Sequence, residues 1–297
     1  MPELPEVETI RRQLAPHVEG RTLGALEIFD ERWCRPIAPL ELAAAVAGRT
    51  VERLDRAGKY LIWALEDDVH LLVHLRMTGT LLLDAPAPAP KHTRVRFDLG
   101  DRDVLFVDPR RFGTGELALG SEARNAFLAA RLGVEPLDPR FTAAHLIALA
   151  KACRAPVKAF LLDQRRIAGV GNIYADEALF RAKIHPLRPA NTLTRTQLTA
   201  LHQTVIDALH AGIEAKGATI DDFRDPYGVQ GSFQDQFLIH LREGEPCVNC
   251  GRAVTKLRAA GRGTYVCRTC QPVPRPRRQA AATSSSSRPA DLARKSS

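Results

Sequence analysis

The first residues of the chain could carry nucleophilic chemistry. Pro2 follows Met1 directly, and because proline is small we expect the initiator methionine to be removed, which would leave Pro2 with a free secondary amine. An unprotonated secondary amine can attack an aldehyde-like carbon and form an iminium, as a catalytic lysine forms a Schiff base. Glu3 is adjacent and could move protons in such a reaction. These two residues are therefore candidate catalytic groups.

The same segment also has a purely structural interpretation. A helix is predicted to start near Pro5, with acidic residues at Glu6 and Glu8 and an apolar face that begins at Val7. Acidic residues in the first turn of a helix complement its dipole. The segment by itself therefore fits both a catalytic terminus and an ordinary helix N-terminus.

Four of the six cysteines form two C-x-x-C pairs near the end of the chain. The segment 251–266 separates the pairs, which is the spacing of a tetrahedral zinc site. Four sulfur ligands leave no position for water, so this zinc would be structural; the alternative is a reduced or disulfide-bonded knuckle. The predicted ligands are Cys247, Cys250, Cys267 and Cys270. Cys34 and Cys153 have no partner at metal-binding spacing and are expected to be small buried residues.

The segment between the cysteine pairs is basic and is predicted to form a hairpin. It carries Lys256, Arg258 and Arg262, and it contains no acidic residue. Such a surface is typical of phosphate contacts. Arg262 lies between Gly261 and Gly263, whose small size would let the hairpin tip approach another surface closely. The alternative is a solvated, charged hairpin.

The run Gly169-Val170-Gly171-Asn172 precedes a predicted helix. It is a poor match to a dinucleotide-binding loop, because Tyr174 stands where a third glycine is required and residues 157–163 are predicted to be helical rather than extended. Two helices joined by tight glycine turns suit another role. The backbone N–H groups at the start of the second helix, with the Asn172 side chain, could hold a DNA phosphate.

Exposed apolar and guanidinium groups can fill the hole that a nucleotide leaves when it flips out of a duplex. Met77, Arg110 and Phe112, on loops after predicted strands, are candidates for this role. Each has an ordinary alternative, since Met77 and Phe112 could be core residues and Arg110 an ion-pair partner. Lys59, after Gly58 at a predicted strand start, reads as an ordinary exposed lysine when taken alone.

The composition is that of a globular chain with an excess of basic charge. The 297 residues are 45% hydrophobic and 26% charged, with a net charge of +8, so a polyanion is a reasonable partner. No apolar run approaches the roughly 20 residues of a membrane span, and no leader peptide is recognisable. With cysteines clustered for metal binding under reducing conditions, we expect a cytoplasmic protein without membrane association.

An α+β multidomain fold is predicted. Residues 21–110 are mostly strands, and helical spacing begins near residue 122. The predicted helices are 122–131, 143–153, 157–163, 173–181 and 195–215. The expected domains are a β-sandwich with an N-terminal helix over 2–121, a helical domain over 132–237, a zinc finger over 238–271 and a disordered basic tail over 272–297.

Six motifs follow one another along the chain, from residue 2 to residue 270: Pro2 to Thr9, Gly58-Lys59-Tyr60-Leu61, His74-Leu75-Arg76-Met77-Thr78-Gly79, Asp108-Pro109-Arg110-Arg111-Phe112-Gly113, Gly169 to Ala175, and the four-cysteine finger. Together they resemble the formamidopyrimidine-DNA glycosylase and endonuclease VIII family. The resemblance covers all of the chain except the tail. Leu4-Pro5 after Pro2-Glu3 is typical of the glycosylase branch.

The resemblance implies a β-sandwich domain, a helix–two-turn–helix domain and a zinc finger, with double-stranded DNA bound in the cleft between them. It implies excision of oxidised purines, such as 8-oxoguanine and ring-opened formamidopyrimidines, followed by strand cleavage through β- and δ-elimination. It further implies one structural zinc ion on the four cysteines, and a monomer that acts on nucleoid-associated DNA in the bacterial cytoplasm.

The resemblance also implies roles for individual residues. Pro2 would attack C1′ of the flipped nucleotide, and Glu3 would act as general acid and base around the sugar. Lys59 matches a lysine assigned to proton transfer in β-elimination and to phosphate or base contact. Arg262 matches the finger arginine that grips the phosphates beside the lesion and is linked to δ-elimination. The gap-filling positions are matched by Met77, Arg110 and Phe112, and the DNA-backbone positions by His74, His92, Arg111 and Asn172.

Two segments bear on how far the resemblance extends. The finger is preceded by His240-Leu241-Arg242, where the family has an aromatic-Gly-Arg run, and this departure bears on the placement of Arg262. Residues 217–237 occupy the place of the loop that covers the damaged base, and their composition suits a mobile loop.

Two alternative functions stay open. One is an endonuclease VIII-like glycosylase for oxidised pyrimidines; the other is a non-catalytic zinc-finger protein that binds bent or damaged duplex, which leaves Pro2-Glu3 unexplained. A dinucleotide-binding enzyme fails on the glycine pattern and on the lack of alternating β and α units. The prediction is therefore a bifunctional DNA glycosylase/AP lyase.

Overall fold

The computed structural model describes residues 1–85, 87–220 and 223–273. Of the predicted tail, residues 274–297 lie outside this described part of the chain. Within the described ranges, no helix combines the length and the apolar character that a membrane crossing requires.

Helix α1 (Leu4–Val18) starts where the sequence predicts a helix, with Glu3 as its N-cap residue. The apolar face of α1 is shared between two hydrophobic cores. Leu4 packs into the core of the helical domain, whereas Val7, one turn later, packs into the core of the sandwich. The start of the helix, with Pro2 and Glu3, therefore lies at the seam between the two domains.

Two antiparallel sheets form the N-terminal β-sandwich. Their strands are β1 (Thr22–Leu23), β2 (Ala25–Ile28), β3 (Arg49–Ala57), β4 (Tyr60–Leu65), β5 (Val69–His74), β6 (Thr80–Leu83), β7 (Thr93–Asp98), β8 (Asp103–Val107) and β9 (Thr114–Leu119). The first sheet has the order β1-β3-β4-β5-β9 and the second β2-β7-β8-β6. Between the sheets Trp63 stacks on Phe97, with ring centroids 4.8 Å apart.

Two helices complete the sandwich. Helix α2 (Pro39–Val46) contributes Leu42 to the core between the sheets. Helix α3 (Ser121–Ala129) packs Phe127 and Leu128 against the other face of the first sheet. Short 3-10 helices occur at Glu31–Trp33 and Glu66–Asp68.

Strand β9 lies beyond residue 110, where the predicted strand region ended. Gly115 makes the segment a poor strand by propensity. A Cβ at Gly115 would lie 2.1 Å from the Trp33 ring, so the close packing of Trp33 on this strand requires glycine. The tertiary contact therefore overrides the local preference.

The second domain is built from α4 (Ala143–Lys151), α5 (Val157–Leu162), α6 (Asn172–Arg181) and α7 (Arg195–Glu214). These helices, and α3, begin and end within two residues of the predicted bounds. Short 3-10 helices lie at Ala190–Thr192, before α7, and at Phe233–Gln236, after it.

The finger is a hairpin of β10 (Thr255–Ala259) and β11 (Arg262–Val266). Its turn residues, Ala260 and Gly261, both have positive φ, as in type I′ hairpin turns. A small core joins the finger to Phe180 of α6. The predicted hairpin is present, and Arg262 is the first residue after its turn.

Candidate active site

Two cavities lie at the seam between the sandwich and the helical domain. One has a volume of about 130 Å³, and its lining includes Pro2, Glu6, Met77 and Arg110. The other has a volume of about 550 Å³, and its lining includes Glu3, Lys59, His74, Met77, Asn172 and Arg262. The fold therefore brings most of the predicted catalytic and DNA-contacting residues together from distant parts of the sequence.

Pro2 and Glu3 occupy this seam from the start of α1. Pro2 lines the smaller cavity and is preceded by a partly exposed Met1, whose removal would free its amine. Glu3 is only 2% exposed, and its Oε1 accepts the N–H of Ile173 (2.9 Å). Its Oε2 is buried and has no hydrogen-bond partner among the described residues. That oxygen is free to exchange a proton or accept a hydrogen bond from a bound molecule.

The glycine-rich turn before α6 is shaped around Glu3. A Cβ at Gly171 would lie 2.2 Å from Glu3 Cδ, so only glycine leaves room for the carboxyl group. The carbonyl of Gly169 accepts the N–H of Leu4 (3.0 Å), and Gln164 braces the turn through the N–H of Gly169 (2.9 Å). The run therefore joins two helix starts, and it does not form a dinucleotide-binding loop.

Glu6 is a second buried carboxyl group and lies beside Glu3. The sequence indicated only a helix-dipole role for Glu6. Glu6 Oε2 accepts the N–H of Glu3 (2.7 Å), and Oε1 accepts from the Tyr174 hydroxyl (2.8 Å) and the Ala218 N–H (2.8 Å). Burial, with the nearby charge of Glu3, raises the pKa of Glu6. Glu6 thus links α1, α6 and the beginning of segment 217–237. Its capping-box spacing from Glu3 is the sequence signal that points to it.

Lys59 is buried, and its interpretation as an ordinary exposed lysine is wrong. It lies in the turn between β3 and β4 and is 5% exposed. Burial lowers the pKa of its ammonium group, while the carboxylates of Glu3 and Glu6 oppose the shift. A lowered pKa makes the neutral amine more accessible near pH 7, which suits a group that exchanges protons.

His74, at the end of β5, is buried and neutral. Burial, followed by the charges of Arg76 and Lys59, lowers its pKa to about 3. Its Nδ1 accepts the backbone N–H of Arg76 (2.9 Å), which leaves the proton of the neutral ring on Nε2. His74 therefore offers the larger cavity a neutral hydrogen-bond donor.

Arg110 and Phe112 lie together on the loop after β8. The Arg110 guanidinium carbon is 5.1 Å from the centroid of the Phe112 ring, and Phe112 is 49% exposed. Phe112 is therefore an exposed ring and not a core residue. Met77, on the loop after β5, lines both cavities.

Asp108 organises these loops, and it was not predicted as a site residue. It is fully buried and accepts the N–H groups of Arg110 (3.1 Å), Phe112 (2.8 Å) and Gly113 (2.8 Å). It also accepts the hydroxyl of Thr78 from the neighbouring loop. Its position before a proline, where a side-chain turn is common, is the signal that could have identified it.

His92 and Arg111 line neither of the two cavities. Arg111 donates through Nε (2.5 Å) and a terminal nitrogen (2.8 Å) to Asp30. The Nδ1 of His92 lies 3.3 Å from a terminal nitrogen of Arg94. Their contacts with DNA stay a prediction.

Asn172 connects α6 to the finger. Its Nδ2 donates to the carbonyl of Gly263 (3.1 Å), next to the exposed Arg262. The N–H of Ile173, at the helix start predicted to hold a phosphate, is already bonded to Glu3. The Ile173 N–H and the Asn172 amide were predicted to contact DNA. In the structure, the first binds the Glu3 carboxyl group and the second binds the finger.

The four finger cysteines form a cluster that fits zinc. Their sulfur atoms all lie within 4.8 Å of one another, with 3.9 Å between Cys247 and Cys270 and 3.5 Å between Cys250 and Cys267. Zn–S bonds of about 2.3 Å in a tetrahedron require sulfurs about 3.8 Å apart. The cluster therefore suits one structural zinc ion, which would stabilise the finger. As predicted, the remaining cysteines, Cys34 and Cys153, are buried.

Three family models match the chain in order. The formamidopyrimidine-DNA glycosylase N-terminal domain matches residues 1–115, and the formamidopyrimidine-DNA glycosylase H2TH domain matches residues 132–224. The zinc finger found in FPG and IleRS matches residues 244–273.

Whole-chain comparisons agree with the domain matches. The chain is 42% identical to the formamidopyrimidine-DNA glycosylase of Desulfitobacterium hafniense over 91% of this chain and 100% of the relative. It is 45% identical to that of Thermus thermophilus, over 91% of this chain and 98% of the relative.

Solved structures agree as well. The crystal structure of the MutM (FPG) protein from Thermus thermophilus matches with a TM-score of 0.83 at 44% identity, over 91% of this chain and 98% of that one. The complex between Lactococcus lactis Fpg and abasic-site DNA matches with a TM-score of 0.85 at 34% identity, over 91% of this chain and 100% of that one. The protein belongs to the formamidopyrimidine-DNA glycosylase family.

Proposed function

We propose that this protein is a bifunctional DNA glycosylase and AP lyase of base excision repair, which removes oxidised purines and then cleaves the strand. The observation that carries the proposal is the position of Pro2 and Glu3 where two cavities meet at the domain seam. Family membership supports it, as do the complex of a Lactococcus lactis FPG mutant with Fapy-dG containing DNA and the complex of Lactococcus lactis Fpg with abasic-site DNA.

The first half of the proposed reaction releases the damaged base. After Met1 is removed, the Pro2 nitrogen attacks C1′ of a flipped nucleotide as the C1′–base bond breaks, and the sugar ring opens to an iminium. Glu3 moves the protons that the sugar oxygen and the amine require, through Oε2, the carboxylate oxygen that no described residue contacts by a hydrogen bond. The departing base takes up one proton.

The second half cleaves the strand. The iminium acidifies the C2′ hydrogens, so loss of a C2′ proton expels the 3′ phosphate, and a second elimination expels the 5′ phosphate. Lys59 is assigned to proton transfer in the first elimination, which its lowered pKa favours. Arg262 is assigned to gripping the phosphates beside the lesion and to the second elimination.

The remaining predicted residues are assigned to holding the DNA. Met77, Arg110 and Phe112 would fill the gap in the duplex, and a net charge of +8 favours a polyanion. Backbone contacts are assigned to His74, His92, Arg111 and Asn172. We further infer a monomer acting on nucleoid DNA in the cytoplasm, with domains over residues 2–121, 132–237 and 238–271.

Borohydride trapping tests the proposal. The protein is incubated with a duplex carrying 8-oxoguanine opposite cytosine, and in parallel with a matched thymine-glycol duplex, with Pro2→Gly as the control. We expect a covalent adduct on the purine duplex that maps to Pro2 and is absent from the variant. Preferential trapping on thymine glycol would assign the chain to oxidised pyrimidines. DNA binding without any adduct would leave a non-catalytic binder of damaged DNA.

A further inference from the structure

Asp176, in α6, is a buried carboxylate that the proposed chemistry does not use. It is 1% exposed, and each of its oxygens holds a different partner. Oδ1 lies 2.6 Å from Lys158 Nζ, and Oδ2 lies 2.8 Å from His240 Nδ1. Lys158 and His240 are buried as well, so the three groups form one cluster between α5, α6 and the chain that leads into the finger.

Lys158 extends this cluster to the hairpin. Its Nζ donates to Thr264 Oγ1 (2.7 Å) and approaches the carbonyl of Gly263 (3.4 Å). The Thr264 hydroxyl in turn donates to the carbonyl of Arg262 (3.2 Å). The backbone that carries Arg262 is therefore held, through Lys158, by Asp176.

His240 fixes the approach to the finger on the other side of Asp176. The backbone N–H of His240 donates to Glu177 Oε1 (3.0 Å). The His240 ring packs edge-on against the Tyr265 ring, with 5.1 Å between the centroids. The next residue, Leu241, has φ of 59°, a conformation that glycine adopts more readily. These contacts hold in place the segment whose sequence departs from the aromatic-Gly-Arg run of the family.

We propose that Asp176 is a positioning residue for Arg262: by holding Lys158 and His240 on its two oxygens, it fixes where the finger arginine meets the DNA phosphates. This inference rests on the proposed function, in which Arg262 grips the phosphates beside the lesion. A buried polar network in which both Asp176 oxygens and the Lys158 ammonium group are bonded has few alternative arrangements, so it restricts the hairpin to one position. Asn172, which also bonds to Gly263, supports the same strand.

A double-mutant cycle on DNA binding tests this role. The full-length, zinc-loaded protein is titrated with a duplex that carries a tetrahydrofuran abasic analogue, which binds but cannot form the Schiff base. The variants are Asp176→Asn, Arg262→Gln and the double variant. Asp207→Asn is the matched control, because Asp207 is an exposed residue of α7 whose carboxylate accepts a hydrogen bond from Gln203, its sole partner within the described part of the chain.

We expect Asp176→Asn to weaken binding about tenfold when Arg262 is present and less than about twofold when it is replaced. The ratio of δ- to β-elimination products on an abasic duplex should fall in the same variant. Equal losses in both backgrounds, or no loss in either, would overturn the proposal. His240→Phe keeps the ring contact but removes the bond to Asp176, and it provides the same test if Asp176→Asn loses zinc.

The readouts also separate this inference from the proposed function. Wild-type protein is trapped with borohydride on the 8-oxoguanine duplex in parallel. Absence of a wild-type adduct counts against the proposed function, whereas an additive cycle in a protein that traps normally counts against the role of Asp176 alone.

Discussion

Replacing Gly171 by alanine should disable base excision while the fold is retained. An ideal Cβ at Gly171 would lie 2.2 Å from Glu3 Cδ and 2.5 Å from Glu3 Oε1. The backbone there has φ of −131°, which alanine adopts without strain, so the effect is steric. To reach an ordinary carbon contact of roughly 3.5 Å, the carboxyl group must move by about 1.3 Å.

The Glu3 carboxyl group cannot move by this distance without breaking its contacts. Its carboxyl group is buried, its Oε1 is bonded to the Ile173 N–H, and its own N–H is bonded to Glu6. A misplacement of about 1 Å at a catalytic group can lower a rate about 100-fold. We therefore expect single-turnover excision of 8-oxoguanine to fall about 100-fold, which corresponds to about 3 kcal/mol of activation free energy.

The assay compares Gly171→Ala with Gly24→Ala under single-turnover conditions. Gly24 is a matched control, because the nearest atom to its added Cβ is a carbonyl oxygen at an ordinary 3.6 Å. In a Glu3→Gln background, Gly171→Ala should cause little further loss, since both changes act on the same carboxyl group. A folded Gly171→Ala protein with an unchanged excision rate would refute the placement of Glu3 in the reaction.

Two further predictions concern stability and metal. His74 has a pKa of about 3 when folded and about 6.5 when unfolded, so below pH 6.5 only the unfolded chain binds the proton and stability falls by about 1.4 kcal/mol per pH unit. Urea denaturation measures the free energy of unfolding of His74→Gln and of wild type at pH 7.5 and at pH 5, and the difference between the two proteins should shift by about 2 kcal/mol in favour of the variant at pH 5. The same difference at both pH values would contradict the burial of a neutral ring. Removing zinc by chelation, or by Cys250→Ser, should weaken DNA binding while circular dichroism retains the signal of the other domains, because those domains have large cores to which the finger contributes no residue. A metal-free protein with wild-type affinity for DNA would show that the finger does not need zinc.

Local patterns were sufficient for much of the fold. Helical spacing and capping signals predicted α4 to α7 closely, because these features depend on neighbours within a few turns. The cysteine spacing predicted a cluster that the structure contains, because a hairpin flanked by two tight turns must bring its ends together. Strand β9 was missed, since its stability depends on Trp33 packing over Gly115.

The site was predictable as a set of residues but not as an arrangement. Lys59 reads as a surface lysine in sequence, and only the seam between two domains buries it beside Glu3 and Glu6. Asp108 carried no predicted role, because its function depends on backbone N–H groups that converge on it only in the folded loop.

The sequence by itself determined the family, the identity of the candidate nucleophile and the metal ligands, because these depend on residue type and spacing along the chain. The tertiary structure alone decided which carboxylates are buried, which ammonium groups have a lowered pKa, and how the finger is held. Burial, desolvation and charge pairing arise from groups that are distant in sequence and close in space. The bond between Asp176 and His240 joins residues 64 positions apart, and no local pattern encodes it.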